Sequence, residues 1–177
     1  MNITDDNVAR VPLVESDVVP KQHWETLRQK HQELLTFVKD DTPGTEAIAY
    51  YSLRMRELAK YKGEQGAGIV FGSRFNIPHI AIHTHPDGET FTLQDITRLI
   101  MSDNMLALSA VGNNGVVYWL EKEANADLGG AKALLSIEFL KKSDYLSSPE
   151  RYIALVEEFL NSLKAYGVNY EKWGWSQ

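Results

Sequence analysis

The sequence predicts an α+β fold: a mixed sheet over roughly residues 46–122, with an N-terminal helix before it and a C-terminal helical extension after it. Three observations predict this. Apolar runs of strand length recur across that stretch, bounded by Pro, Gly, Asn and Asp. Segments with helical spacing flank it, from about Pro20 to Val38 on one side and from about Ala124 onward on the other. Asn113-Asn114-Gly115 separates two apolar runs, and Asn-Gly is a strong hairpin signal.

Taken in order, Met1 to about Val18 is polar, carries Asp5, Asp6 and Glu15, and reads as a flexible arm over 1–18. Pro20 suits a first helical turn, and Trp24, Leu27, His31, Leu34, Leu35 and Val38 follow roughly at helical spacing. Asp40-Asp41-Thr42-Pro43-Gly44 is a turn. Glu46 to Tyr51 alternates as a strand does. Leu53 to Lys62 fits helix or strand. Gly63 to Gly68 is loop-like, and Ile69-Val70-Phe71 reads as a short strand. Ile77 to Thr84 is a strand. Thr92 to about Ser102 is a helix with Ile96, Leu99 and Ile100 inward. Leu106 to Val111 and Val116 to Leu120 are strands on either side of the Asn-Gly turn. Ala124 to Lys141 reads as helix, and Ser148-Pro149 opens another with Ser148 as its cap. The division is an arm (1–18), a metal-site domain with its leading helix (19–123), and a helical extension packed on that domain (124–177). Tyr166, Tyr170, Trp173 and Trp175 are expected to pack the tail onto the body, or to meet a protein partner.

At 177 residues, 44% hydrophobic and 24% charged, the chain can bury a core without disulfides. It has no cysteine, which excludes thiolate zinc sites and cysteine nucleophiles, so any metal must sit on His, Asp or Glu. The net charge of -6, with no basic cluster, argues against nonspecific nucleic-acid binding. There is no signal-peptide pattern and no apolar run of spanning length, so no membrane is expected and the cytoplasm is the expected location.

The informative stretch runs from Ile80 to Asp95. Alternate residues of a strand share a face, so His83 and His85 lie on one side with Cα atoms about 6.6 Å apart. Two imidazoles at that spacing can converge on one ion at about 2.0–2.1 Å. Pro86 ends the strand, Asp87-Gly88 turns, and Asp95 sits one turn into the next helix, where it can be a third ligand. Three protein ligands with an open fourth position mark a catalytic zinc site. His79, about 13 Å further along the strand, is too far to join them. Each residue also has a plainer reading. His83 and His85 can be histidines on a solvated strand face. Thr92 and Asp95 match the capping-box pattern. Glu46 can be an exposed strand start, and Asp87 and Glu89 a solvated turn. His23 and His31 read as surface or packed histidines.

His83-Thr84-His85-Pro86 followed by Thr92-Leu93-Gln94-Asp95 resembles the JAMM signature of the MPN+ metalloproteases, His-x-His-Pro then Ser-x-x-Asp. Thr92 replaces the serine, Phe91 stands where proline often precedes it, and the gap from His85 to Asp95 is one residue shorter than in eukaryotic members. In these respects, and in Ala110 to Tyr118, the chain looks more like bacterial and phage JAB-like domains. The resemblance covers about residues 44–122. It implies a cytidine-deaminase-like, MPN-type sheet, zinc on His83, His85 and Asp95, Thr92 at the oxyanion, and a catalytic glutamate on an earlier strand, for which Glu46 and Glu64 are the two candidates. The function it implies is zinc-dependent hydrolysis of an amide or isopeptide bond in a peptide or protein. The alternative is a non-catalytic MPN-like binding or assembly module, including a phage head-associated one.

Overall fold

The computed structural model describes residues 2–41, 44–63, 75–86, 88–140 and 148–174. Its centre is one six-stranded mixed sheet in the order β2-β1-β3-β4-β5-β6. The strands are β1 (Ala47–Ser52), β2 (Glu57–Lys62), β3 (His79–His85), β4 (Met105–Gly112), β5 (Val117–Lys122) and β6 (Val168–Trp173). The helices are α1 (Asp5–Ala9), α2 (Trp24–Val38), α3 (Leu93–Met101), α4 (Leu128–Leu140) and α5 (Pro149–Leu163). The expected α+β class is what the chain adopts. Every adjacent strand pair is antiparallel except β3 and β4, which run parallel and are joined through α3. A parallel pair needs such a crossover. It also needs cover on both faces, and all seven residues of β3 are buried.

The two faces carry separate cores. Ile48, Tyr50, Ala81, Leu108, Ala110 and Leu120 face α3, α4 and α5, which supply Ile96, Leu99, Leu135, Phe159 and Leu160. Ala49, Tyr51, Ile80, Ile82, Val111 and Trp119 face α2 and the N-terminal segment. Leu27, Leu34 and Leu35 of α2 are fully buried there, as the helical spacing predicted. His31 lies among them. Its Nδ1–H donates to the Leu27 carbonyl at 2.9 Å, and its Nε2 accepts from the Ser109 hydroxyl of β4 at 2.6 Å.

Four features correct or sharpen the sequence reading, which had left Leu53 to Lys62 open between helix and strand. Residues 1–18 are not a loose arm. They form α1 and then place Val11 and Val14 in the core. Ser16 donates to Glu121 at 2.6 Å, and the Asn7 side chain donates to the Asn113 carbonyl at 2.9 Å. Leu53 to Lys62 is a tight turn followed by a strand. The extension 124–177 is not purely helical, because Val168–Trp173 pairs with β5 as the sheet's last strand. The first helix starts as a 3-10 turn at Lys21–His23, before α2. The expected strand Ile69 to Phe71 and the candidate Glu64 lie outside the described residues, as do Asp87 and Trp175. Among the described residues no helix is long and apolar enough to cross a membrane.

Candidate metal centre

His83 and His85 occupy the last turns of pleat in β3, both on the face toward α3 and α5. Small residues beside them leave room for two rings: Ala110 pairs with His83 and Gly112 with His85 on β4. A side chain on Gly112 would come within 2.6 Å of Asn114 Oδ1 and 2.8 Å of Gly88 Cα, so the loop after His85 can pack here only against glycine. That loop is also held by the Tyr118 hydroxyl, which donates to the Gly88 carbonyl at 2.9 Å.

The His85 Nδ1 lies 2.9 Å from the Glu89 carbonyl. A carbonyl can only accept, so Nδ1 carries the proton and the Nε2 lone pair of the neutral ring is left for the site. Such a partner behind a ligating imidazole fixes both tautomer and ring orientation. Phe91 is fully buried with its ring centre 6.1 Å from that of His83, so it walls the group on that side.

Asp95 reaches the histidines from the first turn of α3. Its Oδ2 accepts from the Thr92 backbone N–H at 2.9 Å and from the Thr92 hydroxyl at 2.7 Å, while the Asp95 N–H donates to the Thr92 hydroxyl oxygen at 3.2 Å. This is a complete capping box. The same Oδ2 lies 3.7 Å from His83 Nε2 and 3.6 Å from His85 Nε2. The cap and the ligand reading of Asp95 therefore coexist, because the cap aims the carboxylate at the rings. Arg98, one turn on, donates to the other oxygen at 3.3 Å.

The two Nε2 atoms are 2.8 Å apart. With Oδ2 they form a triangle whose circumscribed radius is about 2.0 Å, so one point lies at bonding distance for a nitrogen- and oxygen-ligated ion from all three atoms. This buried His83, His85, Asp95 group could hold a metal ion. The electrostatics suit a cation. Burial pushes the Asp95 carboxyl up, but the two adjacent imidazoles outweigh it and hold the group well below the ordinary aspartate value. Burial pulls His85 down, yet Asp95 and the Glu89 carbonyl hold it above the ordinary histidine value. At 3.6 Å the pull of Asp95 on His85 is charge attraction, too long for a hydrogen bond. A cation entering the site takes over the role that a proton plays without it.

Beside His85 opens a cavity of about 130 Å³ lined by Glu46, Thr92, Tyr152 and Ile153, among others. Glu46 precedes β1. Ile48 pairs with His83, and continuing that antiparallel register sets Glu46 beside His85 on the same face. The structure thus brings His83, His85 and Asp95 together as a group that could hold a metal ion, with Glu46 and Thr92 on the cavity beside His85. The Thr92 hydroxyl donates to Asp95 Oδ2, where it orients the carboxylate toward the two rings. The sequence reading missed Tyr152, and it named Tyr170 only as an aromatic packing the tail onto the body, which it does. Tyr170 packs edge-on against Phe91 at 6.3 Å and shares a hydrogen bond with Thr90 at 3.0 Å. Both come from the C-terminal extension, where no spacing pointed toward the site. The backbone role of Glu89 was equally invisible, since any residue supplies a carbonyl.

Fold and site define an α+β domain with a buried centre of two histidines and one aspartate next to a cavity. No protein-family model, curated protein or solved structure matches the chain.

Proposed function

We propose that this chain is a zinc-dependent hydrolase of an amide or isopeptide bond, of the JAMM type that its two signature blocks resemble. One observation supports this above all. Three buried donor atoms lie about 2.0 Å from a single point, and a glutamate lines the cavity beside His85. Two imidazoles, one carboxylate and no thiolate suit zinc, and three protein ligands leave a coordination position for substrate or water. When bound there, zinc supplies Lewis acidity toward a carbonyl oxygen and lowers the pKa of a water it holds to about 7.

The chain's own groups do the rest. Glu46 takes a proton from the attacking water as the O–C bond forms and passes it to the leaving nitrogen as the C–N bond breaks, giving a carboxylic acid and an amine. Thr92 keeps Asp95 aimed at the centre. Phe91 and Ile153 keep the walls apolar, so charges at the cleft interact more strongly than in water.

The test is metal analysis together with turnover of amide-linked peptides. Wild type should hold one zinc per chain and hydrolyse at least one peptide. His85→Ala should lose the zinc. Glu46→Gln should keep it and lose at least about 10²-fold in rate. Zinc-free wild type, or full activity in Glu46→Gln, would overturn the proposal. Zinc held in a shell closed by a fourth protein ligand, without turnover, would favour the assembly-module alternative instead.

A further inference from the structure

We propose that a cavity at the far end of the sheet from the metal centre is a second site, in which the Lys122 amine condenses with an uncharged aldehyde to form an imine. The cavity measures about 550 Å³ and is lined by Lys122, Leu106, Leu128, Asp17, Asp103 and Glu123, among others. On β4, Gly112 pairs with His85, whereas the register between β4 and β5 sets Lys122 beside Leu106. From Leu106 to Gly112 the strand spans about 20 Å, so the two sites are separate. Lys122 follows Leu120 at the two-residue period of β5, which puts its side chain on the face toward α3 and α4.

A lysine is seldom this buried without a carboxylate against it. Lys122 is only 5% exposed. Its Nζ donates to the carbonyl of Ser102, the residue that caps the C-terminus of α3. Among the described residues it forms no ion pair, and Asp103, next to Ser102, stands 4.0 Å from Lys132 instead. A carboxylate in contact would hold the amine as an ammonium, which has no lone pair to offer. A bond to a carbonyl needs one N–H, which the neutral amine also has, and leaves the nitrogen lone pair unused. Burial pulls the amine down to about 8, against a smaller upward pull from the Asp103 charge. About one amine in ten is then neutral at pH 7, against about one in 2,500 for lysine in water. Desolvation of this kind is what makes a lysine nucleophilic toward carbonyl carbon. The carboxylates of Asp17, Asp103 and Glu123 repel an anion, while Leu106 and Leu128 offer apolar surface, so the fitting aldehyde is uncharged. The nitrogen lone pair forms the N–C bond as the carbonyl π pair moves to oxygen. Both N–H protons end on that oxygen, which leaves as water when the C–O bond breaks and the C=N bond forms.

The test treats the full chain at pH 7 with propanal and cyanoborohydride, which reduces an imine to a stable secondary amine, and maps the labelled lysines by mass spectrometry. Lys122 should take up a propyl group at least about 10-fold faster than the exposed Lys21 and Lys164, because far more of it is neutral. Glyoxylate, an aldehyde that carries a carboxylate, should show no such preference for Lys122. Lys122→Arg keeps an N–H for the Ser102 carbonyl and cannot form an imine, so it should lose the fast label. The comparison among lysines within the wild-type chain decides the matter even where that variant fails to fold. Labelling of Lys122 no faster than that of Lys21 and Lys164 would overturn the proposal. So would a stronger preference of Lys122 for glyoxylate than for propanal, which would make the cavity a site for anions.

Discussion

Single atoms decide most of the chemistry. Asp95 Oδ2 ends one helix's capping box and also faces two imidazoles, and the Glu89 carbonyl sets which nitrogen of His85 is available. A histidine elsewhere shows the opposite treatment. His31 is fully buried between α2 and β4, and burial pulls it down to about 4, against a smaller opposing effect of the Leu27 carbonyl. Its unfolded value is near 6.5. Above that pH both states are neutral and the group costs nothing. As the pH falls from 6.5 toward 4, only the unfolded chain takes up the proton, so stability is lost across that window, by about 3 kcal/mol from this residue. Urea melts of wild type and His31→Gln from pH 4 to pH 8 should therefore converge as the solution is acidified. Curves that stay parallel would show that His31 is not the group titrating.

Two hairpins built on one plan differ in legibility at the level of the element. In the turn between β4 and β5, Gly112 N–H donates to the Val116 carbonyl at 2.9 Å and Gly115 N–H to the Gly112 carbonyl at 2.8 Å, with Gly115 at φ 82°. Between β1 and β2, Ser52 and Arg56 pair in the same way at 2.9 Å, Met55 N–H donates to the Ser52 carbonyl at 2.8 Å, and Met55 takes φ 60°. Asn-Gly announced the first turn. Nothing announced the second, because a left-handed methionine is tolerated only where burial repays the strain, and Met55 is buried among the residues under α2. Gly115 meets a second demand, since a side chain there would come within 2.5 Å of the Asn7 carbonyl oxygen. Gly115→Ala should cost about 1–2 kcal/mol for the left-handed backbone and should also push α1 away. The readouts are a lower urea midpoint and faster hydrogen exchange at Val8 and Arg10, whose amides close α1. An unchanged midpoint would mean that the turn relaxes at no cost.

For the molecule as a whole, the segments before and after the expected domain are structural members of it. Val156, Phe159, Leu160 and Leu163 of α5 are buried on the face that carries the histidines, and β6 closes the sheet beside β5. Four such side chains at about 1.5–3 kcal/mol each approach the whole net stability of a domain of this size. A chain ending at residue 123 should therefore fail to give a cooperative urea transition and should be cut rapidly by protease. A cooperative transition in that truncated chain would show that residues 124–177 are dispensable to the fold. Tyr166, in the 3-10 turn Lys164–Tyr166 after α5, points the same way: its ring lies where a side chain on Gly130 would come within 2.4 Å, so that turn and α4 are fitted to one another.

Local chemistry alone determined the fold class, most element positions and the grouping of His83, His85 and Asp95. Alternation along β3 puts His83 and His85 on one face, Pro86 ends the strand, and Thr-x-x-Asp starts a helix, whatever else surrounds them. Those rules act over a few residues, which is why they could be read directly. The tertiary structure decided what depends on residues distant in the chain. It set the burial of Val11 and Val14, the pairing of β6 with β5, the hydroxyl of Tyr152 at the start of α3, and the commitment of Thr92's proton to Asp95. Such contacts depend on which surfaces the assembled sheet leaves for the chain ends to cover, and no spacing within one segment encodes that.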